Sequence, residues 1–395
     1  MTERLYESDS YRTGFDATVT GVKPGDGVCH VTLSKTCFFP EEGGQSCDRG
    51  TLGGFQVTDV RICDGEIVHT VSGNLRTGEI VHGEVDFEFR FRNMQMHSAE
   101  HIFSGLVNRM FGYDNVGFHL SENSATMDYN GVLSEGDIFL LEERANRVIT
   151  EGHPIRAWYP APDELAALSY RSKKEIDGPV RLVEIEDTDL CACCVPHVRN
   201  TSEIGFFKIL SAEHYKGGMR ISYRAGLRAL DHFRECLSVL QTAGRLLSVK
   251  QEEIPDAIGR LQAETKQLAY QVTESERLRI SEAIRAARLQ KGADGGPEAA
   301  SDGNCILFLD TDAGLLRFAM DEARKVFGGV CALFIKTASG QYRYLMESGK
   351  PVTEYQNGLR ENFGAKGGGK PSSVSGSIAA TESEIREFFR AAGID

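Results

Sequence analysis

Residues 1–92 alternate apolar and polar positions with the two-residue period of half-buried strands. Phe15, Ala17 and Val19 form one such run, and Cys29, Val31 and Leu33 form another after the turn residues Pro24, Gly25 and Asp26. Asp64-Gly65, between VTDVRIC and EIVHTV, signals a hairpin, because a tight primed turn needs residues that tolerate positive φ. Val85, Phe87, Phe89 and Phe91 alternate in the same way and predict a further strand. Short strands punctuated by glycine predict a small N-terminal β-barrel over 1–92.

The period changes at Met94. Met94, His97, His101, Phe103, Leu106 and Met110 share a helical face that ends near Gly112, and Leu133 to Gly152 predicts a second amphipathic helix. Strands are expected around 155–159, 181–185 and 205–211, so residues 93–225 read as an α+β domain. Residues 226–291 hold little glycine and one proline. There Ile254, Ile258, Leu261, Thr265, Leu268 and Val272 recur at spacings of 4, 3, 4, 3 and 4, a heptad seam. The seam is short, so it predicts a helical hairpin or short coiled coil with its break near Pro255. Residues 292–303 read as a linker by composition. Residues 304–395 read as a C-terminal α/β module: CILFLD and VCALFI are buried strands around a helix over 314–327, QYRYLM is a further strand, and a helix over 382–392 closes the chain. The whole is of the α+β class.

Composition adds limits. The 395 residues are 41% hydrophobic and 26% charged, which is globular. A net charge of −13 favours solubility and argues against coating nucleic acid by bulk charge, while leaving room for a local basic patch. Charge interrupts MTERLYESDSYRTGF every few positions, so no secretory signal is expected, and no apolar run approaches the roughly 18 residues of a membrane span. Ten cysteines without such a signal predict a reducing cytoplasm in which thiols are ligands or buried.

Three stretches carry candidate chemistry. His97 and His101, in HSAEH, lie four apart on a predicted helix, so two imidazoles can reach one ion. Alone, such a pair is a common surface feature. Cys193 and His197 add a C-x3-H element within DLCACCVPHVRNTSEIG, and one Cys with three His makes a tetrahedral, borderline-soft set suited to one Zn²⁺ per chain. The competing reading makes Cys191, Cys193 and Cys194 buried hydrophobes or a redox cluster. In TCFFPEEGGQSCDRG, Gly43-Gly44 permits close backbone approach to a ligand, and Thr36 and Gln45 supply neutral donors and acceptors. By itself this stretch is an ordinary barrel turn. In NFGAKGGGKPSSVSG, exposed backbone N–H groups accompany Lys366 and Lys370, which suits phosphate, although a flexible loop fits equally. The final Lys-Ser/Thr of a nucleotide-binding P-loop is absent there, which disfavours ATP.

Together these residues resemble the AlaX proteins, free-standing homologues of the alanyl-tRNA synthetase editing domain, in the long form that keeps the synthetase's C-terminal domain. The resemblance runs through TCFFPEEGGQSCDRG, VDFEFRFRNMQMHSAEHIFSGL, CCVPHVRNTSEIGFFKI and KGGMRISYRAG to the glycine-rich NFGAKGGGKPSSVSG. It implies that His97, His101, Cys193 and His197 are the zinc ligands, that Thr36 and Gln45 belong to the editing pocket with Gly43 and Gly44, and that Asp189 supports the ligands. It further implies a hydrolase that deacylates tRNA(Ala) mischarged with serine or glycine, without aminoacylation. The C-terminal module, with Lys366 and Lys370, is then expected to bind tRNA and to be a site of homodimerisation. Two departures stand out: Cys194-Val195-Pro196 replaces the family's Gly-Gly-Thr, and Glu42 replaces the first of three glycines. Bare sequence leaves open whether zinc activates a water or anchors the substrate.

Overall fold

A computed structural model of the protein describes residues 2–122, 125–172, 178–294 and 303–394, with side chains in the third stretch as far as residue 290. It is an α+β structure in two compact units, Met1–Thr242 and Ala243–Asp395.

Six strands of the first unit form a barrel: β1 (Gly14–Pro24), β2 (Cys29–Leu33), β3 (Gly50–Leu52), β4 (Phe55–Cys63), β5 (Glu66–Val71) and β6 (Ile80–Val85). They pair antiparallel in the order β1-β2-β5-β4-β3-β6, and β6 returns to β1 to close the ring. Closure leaves no unpaired edge. Asp64 and Gly65 turn β4 into β5 with φ of 52° and 82°, the positive values that the hairpin signal requires. Phe15, Val31, Phe38, Leu52, Val60 and Val71 fill the interior.

The strand expected over Val85–Phe91 stops at Val85, and helix α1 runs Phe87–Phe111. The apolar run is ambiguous because Phe87 and Phe91 suit a helix as well as a strand; their rings lie 5.7 Å apart, one turn from each other. Asp86 decides the matter by accepting a hydrogen bond from the Phe89 N–H as an N-cap. Gly112 ends the helix in the left-handed conformation.

Beyond α1 come β7 (Asn115–Leu120), β8 (Ala125–Tyr129), α2 (Glu135–Glu151), β9 (Ile155–Trp158), β10 (Leu182–Ile185), β11 (Asp189–Ala192), β12 (Phe207–Tyr215) and β13 (Gly218–Ala225). An antiparallel sheet β12-β13-β8-β7 covers α1, and β9-β10-β11 forms a second sheet. Phe103, Met127, Leu141, Phe207 and Tyr223 share the resulting core. Val195, beside the C-x3-H cysteine, packs instead into the barrel core. That loop therefore joins the two halves of the unit.

Helix α3 (Gly226–Leu247) carries the division between the units after Thr242, and α4 (Ile254–Asp294) belongs to the second. The break expected near Pro255 lies earlier, at Ser248 with a φ of 55°. Pro255 sits in the first turn of α4, where its missing N–H costs nothing. The heptad seam continues on α4 with Ile258, Leu261, Leu268 and Val272 exposed.

The second unit carries β14 (Cys305–Leu309), α5 (Leu316–Val326), β15 (Cys331–Lys336), β16 (Tyr342–Glu347), α6 (Thr353–Phe363), β17 (Lys366–Lys370), β18 (Ser373–Ile378) and α7 (Glu382–Ala391). The sheet order is β14-β15-β16-β18-β17, with β14 and β15 parallel. Ile280 and Ile284 of α4 pack with α5 on one face, while Leu359, Ile385 and Phe389 cover the other. The glycine-rich stretch expected as a loop folds as a hairpin of the edge strand β17 and β18, paired from Lys366↔Ser377 to Lys370↔Ser373. A Cβ at Gly367 would meet the Ser375 carbonyl oxygen at 2.2 Å, so glycine there serves close strand approach. Most of the linker 292–303 lies outside the described residues. No helix among the described residues is long and apolar enough to cross a membrane.

Candidate metal centre

Helical periodicity puts His97 and His101 on one face of α1, directed at the loop that follows β11. There Cys193 and His197 complete a set of four donors whose ligating atoms all lie within 4.8 Å of one another. Cys193 Sγ is 3.7 Å from His97 Nε2 and 3.5 Å from His197 Nε2. The three imidazoles are buried, and the His101 and His197 ring centroids are 4.5 Å apart.

Each imidazole is fixed from behind through Nδ1. That of His97 is 3.2 Å from Gln45 Oε1, that of His101 is 3.0 Å from Asp189 Oδ2, and that of His197 is 2.9 Å from Ser98 Oγ. With Nδ1 engaged in this way, Nε2 is the nitrogen left for a ligand, which is how outer partners orient metal-binding histidines. Asp189 is itself clamped by Arg171, whose Nε and Nη2 donate to its two oxygens at 2.7 and 2.8 Å.

The electrostatics select one cysteine of three. Burial opposes the Cys193 thiolate, but the charge of His97 and hydrogen bonds from His101, His197 and His97 outweigh it, and the thiol sits well below its usual range. Burial pushes the thiols of Cys191 and Cys194 up instead. Burial also pushes His197 down to about 3, helped by the charge of His101. For His101 burial is overcome by the bonds to Asp189 and Cys193, which raise it to about 10. A thiolate among imidazoles is the donor set that a soft divalent ion requires, and these four residues can hold one metal ion.

The glycine motif forms the neighbouring wall. Gly43 and Gly44 take φ of 63° and 79° in a tight turn between Glu42 and Gln45. That turn directs Gln45 onto His97, and the Gln45 Nε2 is buried without a hydrogen-bond partner. Phe118 of β7 closes the same side, its ring 4.7 Å from that of His97. Thr36, in a two-residue strand after β2 that pairs with Glu3–Arg4, is fully buried against the barrel, where its hydroxyl accepts from the Phe38 N–H at 3.0 Å and bonds His69 Nε2 at 2.8 Å. Because His69 Nδ1 faces the Val31 carbonyl, the Thr36 hydroxyl is the donor in that pair. Lys366 and Lys370 belong to the second unit, exposed on β17.

Comparison with known proteins places the chain in a family. The sequence model of the family described as threonyl and alanyl tRNA synthetase second additional domain matches residues 180–222, the segment holding Asp189, Cys193 and His197. The alanyl-tRNA editing protein Aarsd1 of Danio rerio is 31% identical over 279 residues, covering 66% of this chain and 68% of that protein. The chain belongs to the alanyl-tRNA editing protein family. The alanyl-tRNA editing protein AlaX-L of Pyrococcus horikoshii is 32% identical over 249 residues, 60% of this chain and 61% of its own length. The alanine–tRNA ligase of Ignicoccus hospitalis is 32% identical over 305 residues, 74% of this chain and 33% of the ligase. The chain thus spans a third of the ligase and about three fifths of AlaX-L.

Sequence reasoning missed two parts of this metal centre. Ser98 lies inside HSAEH as an unremarkable helix residue, and its role depends on where His197 arrives. Arg171 precedes its partner Asp189 by 18 residues, with no motif to join them.

Proposed function

We propose that the protein is a zinc-dependent trans-editing hydrolase, an aminoacyl-tRNA deacylase that cleaves the ester of tRNA(Ala) mischarged with serine and also with glycine. The observation that carries this reading is the buried convergence of His97, His101, Cys193 and His197, each imidazole held through Nδ1. Zinc bound there would supply a Lewis-acid centre for the ester or for water. The chain's own residues supply orientation: Asp189 and Ser98 hold two imidazoles, and Gln45 holds the third through Oε1 while its Nε2 amide group is kept for a ligand. Burial of the cluster limits the water that reaches the ester.

Selectivity belongs to the same proposal. Alanine is smaller than serine, so sterics alone cannot exclude it. A buried donor that pairs with the serine hydroxyl is left unpaired when alanine binds, which penalises alanine. The unpartnered Gln45 Nε2 fits that task; Thr36 can serve it only by exchanging its bond to His69.

Incubation of the purified full chain with Ser-tRNA(Ala), Gly-tRNA(Ala) and Ala-tRNA(Ala), with zinc measured on the same sample, tests the reading. The serine ester should be hydrolysed fastest, the glycine ester, which lacks the hydroxyl, more slowly, and the alanine ester spared, with one zinc per chain. Binding that protects the serine ester would make the protein a zinc-stabilised tRNA-binding module instead.

A further inference from the structure

A groove of about 610 Å³ lies in the first unit, beside the amino-terminal end of α1. Arg49, Arg92, Arg224 and Arg228 line it, brought together from the barrel, α1, β13 and α3. Arg228 forms part of its wall, donating from Nη2 to Asn93 Oδ1 at 2.7 Å and from Nη1 to the Ser121 carbonyl at 3.0 Å. Both acceptors are neutral. Burial, together with the charges of Arg224 and Arg92, holds Arg228 down to about 10, against the opposing effects of Tyr223 and Glu122. Four arginines thus share the lining with five carboxylates.

The groove also has carboxylates, and most are engaged. Glu122 pairs with Arg49 at 2.7 Å, Asp231 and Glu88 pair with Arg92 at 2.5 and 3.0 Å, and Asp86 caps α1. Glu235 stands exposed on the rim. Asn93, which holds Arg228, is fully buried, and its Nδ2 has no hydrogen-bond partner. It precedes His97 by one helical turn on the same face of α1, about 6 Å along the axis.

We propose that this groove binds a backbone phosphate of the single-stranded 3′ end of tRNA, with Arg228 and Arg224 as the anion contacts, so that the terminal ribose reaches the His97 side of the metal centre. The assignment rests on the deacylase reading above. Guanidinium groups suit a phosphodiester because they donate in a planar fork, and the Phe89 ring beneath Arg49, 4.4 Å from its guanidinium carbon, adds an aromatic surface of the kind bases stack on.

The test compares two labelled RNA hairpins, one ending in a single-stranded 3′ CCA and one blunt, by fluorescence anisotropy with the full-length protein across a salt series. Wild type should bind the overhang hairpin more tightly. Arg228→Gln should remove that advantage, weakening overhang binding roughly tenfold and lowering the salt slope by about one contact. Arg228 is partly buried, so Arg224→Gln provides a second variant that should act in the same direction, and zinc content and melting temperature identify any variant that misfolds. If the overhang advantage persists in both folded variants, or is absent in wild type, the groove is not the phosphate site. Wild-type hydrolysis of Ser-tRNA(Ala) is scored separately: its absence would overturn the deacylase reading while the overhang comparison still decides the groove.

Discussion

Two buried settings for histidine lie in the same unit and differ in one respect. His69, in the barrel wall, spends both ring nitrogens on the protein, Nδ1 on the Val31 carbonyl and Nε2 on the Thr36 hydroxyl. His97, His101 and His197 each spend Nδ1 on a neutral or acidic oxygen behind the ring, and their Nε2 atoms converge on one another and on Cys193 Sγ. Burial is nearly complete in both places. The contrast shows that burial does not mark a ligand histidine; a nitrogen left over, aimed at the leftover nitrogens of its neighbours, does.

The largest expected effect breaks the converging set. His101→Ala or Cys193→Ala should abolish stoichiometric zinc and reduce Ser-tRNA(Ala) hydrolysis to background, because three donors around an open position hold the ion poorly. Elemental analysis of the purified variants is the check. Full zinc occupancy in both would mean that the ligands lie elsewhere.

The satisfied histidine should reveal itself through pH. Burial pushes His69 down to about 4 from its ordinary 6.5. Between those values the unfolded chain binds a proton that the folded chain refuses, so this contribution is complete above pH 6.5 and declines as pH falls toward 4. The loss is on the order of 3 kcal/mol. Urea unfolding of wild type and His69→Asn at pH 7 and pH 5 isolates it: the variant should be less stable at pH 7 and should lose less on acidification. Equal losses in the two proteins would show that His69 titrates normally in the fold.

Asp189→Asn sharpens the comparison from the other side. It keeps size but weakens the acceptor at His101 Nδ1 and leaves the Arg171 charge partly buried. Zinc affinity measured by chelator competition should fall about 10- to 100-fold, as changes behind a ligand histidine do. An unchanged affinity would reduce Asp189 to a fold-stabilising partner of Arg171.

Thr36→Val tests whether the barrel wall and the pocket share a residue. The variant strands the Phe38 N–H and His69 Nε2, so stability should drop by about 1–3 kcal/mol, with serine and glycine esters affected alike. Selective loss on Ser-tRNA(Ala), with unfolding unchanged, would instead assign the Thr36 hydroxyl to the serine side chain.

These contrasts also explain what the sequence made legible. The H-x3-H pair is readable because helical spacing alone fixes a common face, and the C-x3-H element because its residue types have few other uses together. Strand alternation located β1 and β2, and Gly112 and Gly152 marked the ends of α1 and α2. At Val85–Phe91 the apolar positions fit both periods, and a single capping contact from Asp86 chose the helix. Ser98, Arg171 and the Arg228 groove were illegible for another reason: each is defined by a partner distant in sequence, and no local spacing encodes that meeting. Glycine content misled at 366–370, since it reads as flexibility whereas here it permits close strand pairing.

The smallest expected effect concerns that strand. Lys366 and Lys370 lie at the two ends of β17, the edge of the second unit's sheet, with their side chains exposed. Unlike the buried donors of the first unit, they converge on no common point, and exposed lysines act on RNA mainly by releasing counterions from its backbone. Lys366→Ala/Lys370→Ala should therefore leave zinc content and folding intact, weaken tRNA(Ala) binding only a few-fold, and lower the salt slope by about one to two contacts. Deacylation should show a raised KM with little change in kcat, because what was removed is binding remote from the ester. A truncation ending near Lys291 asks the same of the whole module and should have the larger effect on KM. If neither change alters the salt slope, β17 does not touch RNA, and the exposed edge is left with homodimerisation as its proposed role, which sedimentation of the same two proteins would then decide.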